Sequence, residues 1–256
     1  MPVFRIRDLP TLTRKIHESQ NKWRAKNWKK TLKEHNKEIE ELLEKVSVFS
    51  KWENKLQEFD VAKKLIPEMF IDAFGSIHFA CFGFYKYANM CLRSELETTL
   101  RLIFFFKHSV EFQWWLEGNK SYRTITSQAR DVWGQGYWYF EQLDNVKKFE
   151  ELCDDDRKLF TGGSNLRKIN DILSQFIHSG AGHFQTRPDR FSPDYNMDEF
   201  KKWYSICKDI QIYINIMLAL GFSDEFKSMS NATRQKILNK GIGNYYKEKV
   251  KQTLDL

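Results

Sequence analysis

Between Ala73 and Leu92 the chain reads A-F-G-S-I-H-F-A-C-F-G-F-Y-K-Y-A-N-M-C-L, and this stretch decides the fold class. Its small residues Ala73, Ser76, Ala80 and Gly83 recur at i, i+3, i+7 and i+10, which is one face of an α-helix. Phe70, Phe74, Ile77, Cys81 and Phe84 form a neighbouring face. Small side chains let another helix approach closely, so the spacing predicts a central core helix. The stretch is about as long as a membrane span, but His78, Lys86 and Asn89 interrupt it and it lacks a continuous aliphatic block. A membrane-crossing segment is therefore not expected.

The same reading extends in both directions. Pro67 fits the first turn of this helix, which runs to about residue 89, and residues 92–107 continue helically until Gly118-Asn119 closes the section. Upstream, residues 11–60 read as one or two long charged helices, an arm or an antiparallel hairpin. Downstream, residues 122–139 look irregular, with Gly134 and Gly136 among Trp133, Tyr137 and Trp138. Helices are predicted over 140–153, 165–178, 198–220, 223–239 and 243–254. Asp198 is the expected N-cap of the third of these, Gly221 its stop, and Trp203, Cys207, Ile210, Ile214 and Met217 its core face. The expectation is an all-α multi-helix bundle, residues 63–256, behind a long basic N-terminal helical arm, residues 1–62.

Composition agrees. The 256 residues include only 12 glycines and 5 prolines, against a usual combined share of roughly 12%. So few turn formers cannot build a β-sandwich or barrel. With 8 Trp, 10 Tyr and 21 Phe the chain is also no disordered polymer. Four cysteines, Cys81, Cys91, Cys153 and Cys207, show no C-x-x-C and mostly fall in apolar runs. They read as core thiols of a cytoplasmic protein, with no zinc site and no cofactor implied. The opening MPVFRIRDLP has no apolar signal-peptide region. The acidic run Glu150 to Asp156 reads as a helix end with a capping Asp, and Thr161 to Asn165 as a turn with an N-cap. Neither G-x-S-x-G nor H-E-x-x-H occurs, so hydrolase and zinc-protease chemistry has no motif here.

Charge is concentrated. Nine Lys and Arg lie between Arg14 and Lys37 against only Glu18 and Glu34, a local excess equal to the +7 of the whole chain. Lys22, Lys26, Lys29, Lys33 and Lys37 make a single stripe on a helix, joined by Lys30 and interleaved with Trp23 and Trp28. Such a stripe suits a phosphate backbone, since phosphate contacts release counterions and aromatic rings hold bases. The alternative is the solvated or protein-facing side of an amphipathic arm whose apolar side is Leu32, Ile39, Leu42, Val46 and Phe49.

Two further clusters carry chemistry. In L-R-S-E-L-E-T-T-L-R-L-I-F-F-F-K-H, Leu92 to His108, the residues Arg93, Glu97, Arg101 and His108 fall near one face of an otherwise apolar helix. They form either an Arg–Glu–Arg network that fixes helix register or a reactive face, because a lone charge is rarely retained there. A second helix ends in L-S-Q-F-I-H at His178, and the loop after it carries His183, Arg187 and Arg190. Two histidines with two arginines suit phosphate binding and proton transfer near neutral pH. The alternative is a solvated crossover loop.

R-S-x-x-E before an aromatic run, then a helix ending L-S-x-F-I-H, resembles HEPN-like helical domains over residues 67–220. The resemblance implies a role in prokaryotic defence, often as a metal-independent RNase assembled as a homodimer. The family signature, Arg, four to six residues, then His, has a counterpart in Arg101-L-I-F-F-F-K-His108, with Leu102 where the family has a polar residue. By that resemblance His108 and His178 are candidate bases and Arg93 and Arg101 phosphate partners. The other expectation is a non-catalytic scaffold that meets a protein partner through the arm.

Overall fold

In the computed structural model, which describes residues 9–118, 132–161, 164–177 and 195–256, the regular elements are all helical. They are α1 (Leu9–Ser47), α2 (Phe49–Leu56), α3 (Asp60–Cys81), α4 (Tyr85–Lys107), α5 (Ser109–Leu116), α6 (Val132–Gln142), α7 (Asp144–Glu151), α8 (Asn165–Ile177), α9 (Met197–Gly221), α10 (Ser223–Ser228), α11 (Asn231–Lys236) and α12 (Asn244–Thr253). A 3-10 turn at Asp155–Arg157 and a π-helical turn at Ile237–Ile242 complete the series.

The face of small residues organises the bundle. Ala73, Ser76 and Ala80 are fully buried, and Ser76 Oγ accepts a 3.0 Å hydrogen bond from the indole of Trp203 on α9. A larger side chain at 76 would hold that indole off. α3 and α4 form an antiparallel hairpin through Phe82–Phe84, where Gly83 adopts φ +82°. On α9 the five expected core residues are all buried, and truncating Trp203 to Ala would cost about 3–5 kcal/mol. Ile39, Leu42, Val46, Phe49, Trp52 and Leu56 of α1 and α2 belong to the same core.

Five details depart from the sequence expectations. Phe70 and Phe74 remain 45% and 48% exposed, although they share a face with the buried Ile77 and Cys81. α1 covers only the C-terminal end of that face, where the Thr31 hydroxyl donates to the Cys81 carbonyl at 3.1 Å. α3 begins at Asp60, so Pro67 sits two turns inside rather than in the first turn. Residues 132–139 are helical rather than irregular, because Gly136 serves a close approach instead of a turn. A Cβ there would lie 3.1 Å from Leu100 Cβ on α4. The N-cap of α9 is Asn196, whose side chain accepts from the amides of Asp198 and Glu199, not Asp198 itself. Finally, the acidic run is anchored by Glu150 rather than by a capping Asp: its buried carboxylate accepts from Leu159 N at 3.0 Å, Phe160 N at 3.1 Å and the Thr161 hydroxyl at 2.9 Å.

Among the described residues no helix is long and apolar enough to cross a membrane. All four cysteines are free thiols. Burial pushes Cys81 up to about 12 and Cys91 and Cys153 up to about 11, so none supplies a thiolate near neutral pH.

Candidate nucleic-acid interface

Two inward-facing hydrogen bonds, one buried and one partly buried, fix which side of α1 faces outward. Asn27 Nδ2 donates to the Phe82 carbonyl at 3.0 Å, and Thr31 donates to the Cys81 carbonyl. Near the same inner edge Trp23 is half-buried, edge-on to Phe84 at 5.0 Å. At about 100° per residue, Lys22, Lys26, Lys29, Lys33 and Lys37 then project from the opposite side, and all five are exposed. Among the described residues no ion pair engages any of them. The nearby acid Glu34 instead receives the Tyr195 hydroxyl at 2.9 Å. Lys30 holds its ammonium over the Tyr195 ring, 4.6 Å from the centroid. The result is an unbroken positive ridge.

Trp28 borders that ridge and is 36% exposed. Its ring lies 5.4 Å from Phe82 and 6.0 Å from His78 of α3. Of the two tryptophans expected to meet nucleic acid, Trp28 presents a ring at the surface while Trp23 turns toward the body of the protein.

α1 is not one continuous helix. At His35 the backbone leaves helical geometry (φ −134°, ψ 26°). The imidazole stacks on Phe200 at 3.8 Å, and its Nε2 shares a 2.8 Å hydrogen bond with the Tyr195 hydroxyl. Further along, Lys45 is buried and donates to the Lys240 carbonyl at 3.2 Å. Desolvation lowers its pKa.

On α4 the charged face forms one chain. Arg93 Nε donates to Glu97 Oε1 at 2.9 Å, and Arg101 Nη2 stands 3.7 Å from Glu97 Oε2. Arg93 Nη1 donates to Ser174 Oγ of α8. Side-chain exposures of 15%, 22% and 26% for Arg93, Glu97 and Arg101 place the chain at the border of core and solvent. Two guanidinium groups share one carboxylate, which leaves one positive charge in excess. Arg101 Nε is buried and has no acceptor among the described residues.

His108 stands apart from this chain. It ends α4 with φ −126°, donates from Nδ1 to the Phe104 carbonyl at 2.7 Å and stacks on the Phe104 ring at 4.1 Å. Tyr139 meets it edge-on at 5.0 Å. Seven residues of helix separate it from Arg101 by roughly 10 Å along the axis. No hydrogen bond or ion pair joins the two among the described residues. His178, His183, Arg187 and Arg190 lie outside the described residues. Tyr195, the first described residue after them, is docked on α1 through the Lys30, Glu34 and His35 contacts already given.

The sequence reading passed over Glu95. It is fully buried, and Gln211 Nε2 of α9 donates to both of its oxygens, at 2.9 and 2.8 Å. Burial holds this carboxyl well above the usual carboxylate range, with the Gln211 hydrogen bonds opposing that shift only in part. The available signal was Gln211 and Asn215, two amides spaced i, i+4 on the apolar side of α9. Among the described residues no group of three His, Cys, Asp or Glu side chains is placed to hold a metal ion. The chain matches no protein-family model, no curated protein and no solved structure.

Proposed function

We propose that this protein binds nucleic acid, with the α1 segment from Lys22 to Lys37 as its phosphate-binding element. The observation that carries this reading is the ridge of five exposed lysines that no ion pair engages among the described residues, set opposite a buried face that fastens it to the bundle. A polyanion laid along the ridge releases condensed counterions at each contact, a driving force that needs no base-specific groups. A protein partner would have to bring a matching acidic stripe, and its binding would lack the dependence on phosphate number.

RNA cleavage is the second reading, in a HEPN-like protein of prokaryotic defence that acts without metal and as a homodimer. It is favoured by one contact, the hydrogen bond from Arg93 to Ser174, which ties together the two helices that carry the resemblance. The surplus guanidinium charge beside Glu97 suits a phosphate. In this reading His178, the residue after α8, would take the ribose 2′-hydroxyl proton, and Arg101 would meet the developing charge on phosphorus.

The test is fluorescence anisotropy of a labelled RNA oligonucleotide with full-length protein at 50 mM salt, with a denaturing gel run on the same samples in EDTA. Saturable, salt-sensitive binding supports the ridge reading, and its absence at 50 mM salt overturns it. Cleavage that vanishes in His178→Ala while binding persists supports the second reading. Intact RNA with tight binding leaves a binding protein without nuclease activity.

A further inference from the structure

Along the open face of α3, Phe70, Phe74, His78 and Phe82 recur at i, i+4, i+8 and i+12 and present their rings as one column. Phe70 and Phe74 lie 6.3 Å apart with planes 13° from parallel, and Phe74 and His78 lie 6.3 Å apart at 22°. His78 then meets Phe82 edge-on at 4.6 Å. Trp28 closes the column from α1, touching both His78 and Phe82. Phe70, Phe74 and His78 are all exposed, and Ile71 beside them is more exposed still. Leaving large apolar side chains in water forgoes a substantial stabilisation, so a continuous row of them marks a binding surface.

We infer that the nucleic acid taken by this protein is a single strand, whose bases stack on the α3 column while the α1 ridge holds its phosphates. This rests on the nucleic-acid reading above and adds the substrate class and the residues that select it. Charge identifies the occupant: the column joins, through Trp28, the one segment whose positive excess equals that of the whole chain. A second copy of this chain would bring the same positive ridge rather than a complementary charge. The ring geometry then chooses between nucleic acids. Phe70 and Phe74 hold their planes within 13° of parallel and stay exposed, so they offer aromatic surface on which flat bases can stack. A duplex hides its base faces in its own stack and offers only phosphates. A single strand has faces to give, and aromatic platforms beside basic grooves hold such strands with little regard to sequence.

The experiment compares 20-nucleotide single-stranded RNA, single-stranded DNA and the corresponding duplexes against full-length protein at constant salt. Single strands of either sugar are expected to bind at least tenfold more tightly than duplexes. Phe74→Ala and His78→Ala should each weaken single-strand binding by roughly 5- to 100-fold per lost stack. Duplex affinity, the salt slope and the melting temperature should stay as in the parent, because both rings are exposed. Phe74→Tyr should restore binding. Equal affinity for single strands and duplexes, unchanged by Phe74→Ala, overturns the column while leaving the ridge standing. Absence of binding to every nucleic acid at low salt removes the ridge reading and this inference with it. A dimer in the parent that Phe74→Ala splits would assign the column to self-association and overturn the inference.

Discussion

Replacing Arg101 by Ala removes the looser of two guanidinium groups from the α4 chain. Glu97 keeps Arg93 at 2.9 Å and remains 22% exposed, so no buried carboxylate is stranded. The lost contact is a single 3.7 Å approach at a partly wetted site. An interaction of that kind is worth about 0.5–1 kcal/mol. Removing the buried, acceptor-less Nε of Arg101 offsets part of that loss. For a chain of this size about 1 kcal/mol moves the midpoint by roughly 2–4 °C. Arg101→Ala should therefore melt within about 4 °C of the parent. Arg93→Ala loses more: the 2.9 Å charge-assisted bond and the link to Ser174 that joins α4 to α8. Its expected cost is about 2–3 kcal/mol, or roughly 4–12 °C. Thermal melts followed by circular dichroism at pH 7 read both. An Arg101→Ala midpoint below that of Arg93→Ala would refute the assignment of Arg93 as the structural centre. If the order holds, Arg101→Ala is a clean probe of chemistry. Loss of RNA cleavage in a variant that melts like the parent then means that Arg101 acts on substrate.

Three other outcomes are expected. With all five ridge lysines engaged, the slope of log affinity against log salt should approach about −3.5, a loss near 100-fold from 50 to 200 mM; Lys22→Glu, Lys26→Glu, Lys29→Glu and Lys33→Glu together should bring it close to −1 without changing the melt, and an unchanged slope would remove the ridge from the interface. Glu150→Ala leaves the buried amides of Leu159 and Phe160 without their acceptor, at about 2–5 kcal/mol, whereas Glu150→Gln keeps one oxygen for both amides and should cost under about 1 kcal/mol; equal melting of the two variants would show that the clamp does not hold the loop. Because burial raises Glu95, the folded protein retains a proton that the unfolded chain releases near pH 4.5, so stability falls as pH climbs above that value. Glu95→Gln abolishes this dependence and should out-melt the parent at pH 8 while matching it near pH 4; a variant less stable at pH 8 than the parent contradicts the buried protonated carboxyl.

Periodicity reported what it physically can, the faces that helices bury. The small face of α3 and the Trp203 to Met217 face of α9 were legible because repeated burial on one side leaves a repeated pattern. The Arg93–Glu97–Arg101 chain was legible as i, i+4 spacing within a helix, and the ridge as lysines recurring on one helical face, whereas the polar anchors Asn27 and Thr31 were not. Ser174 and Gln211 were not, since their partners lie 81 and 116 residues away and no local pattern encodes that. Gly136 misled because the same residue serves tight turns and close helix contacts. Phe70 and Phe74 misled because a shared helical face is buried only as far as its neighbour reaches, and α1 reaches only its C-terminal end. His108 was placed by spacing on the polar face, but α4 stops at Lys107 and the imidazole turns onto Phe104 and Tyr139.

The break in α1 at His35 gives one helix two opening free energies. Past it, Ile39, Leu42 and Val46 are locked among core side chains, and their amides are expected to exchange with solvent only on global unfolding. Ahead of it, the half that bears Lys22 to Lys33 is fastened by Asn27, Thr31, Leu32, the rings of Trp23 and Trp28 and the Tyr195 contacts of Lys30 and Glu34, a set with far fewer fully buried side chains, which should release at lower cost than the core half. Apparent affinity is then the intrinsic affinity scaled by the fraction of molecules whose arm is seated. A strand that touches the lysines and the α3 rings together draws that fraction toward unity, so slowed amide exchange over residues 22–34 becomes a direct readout of occupancy.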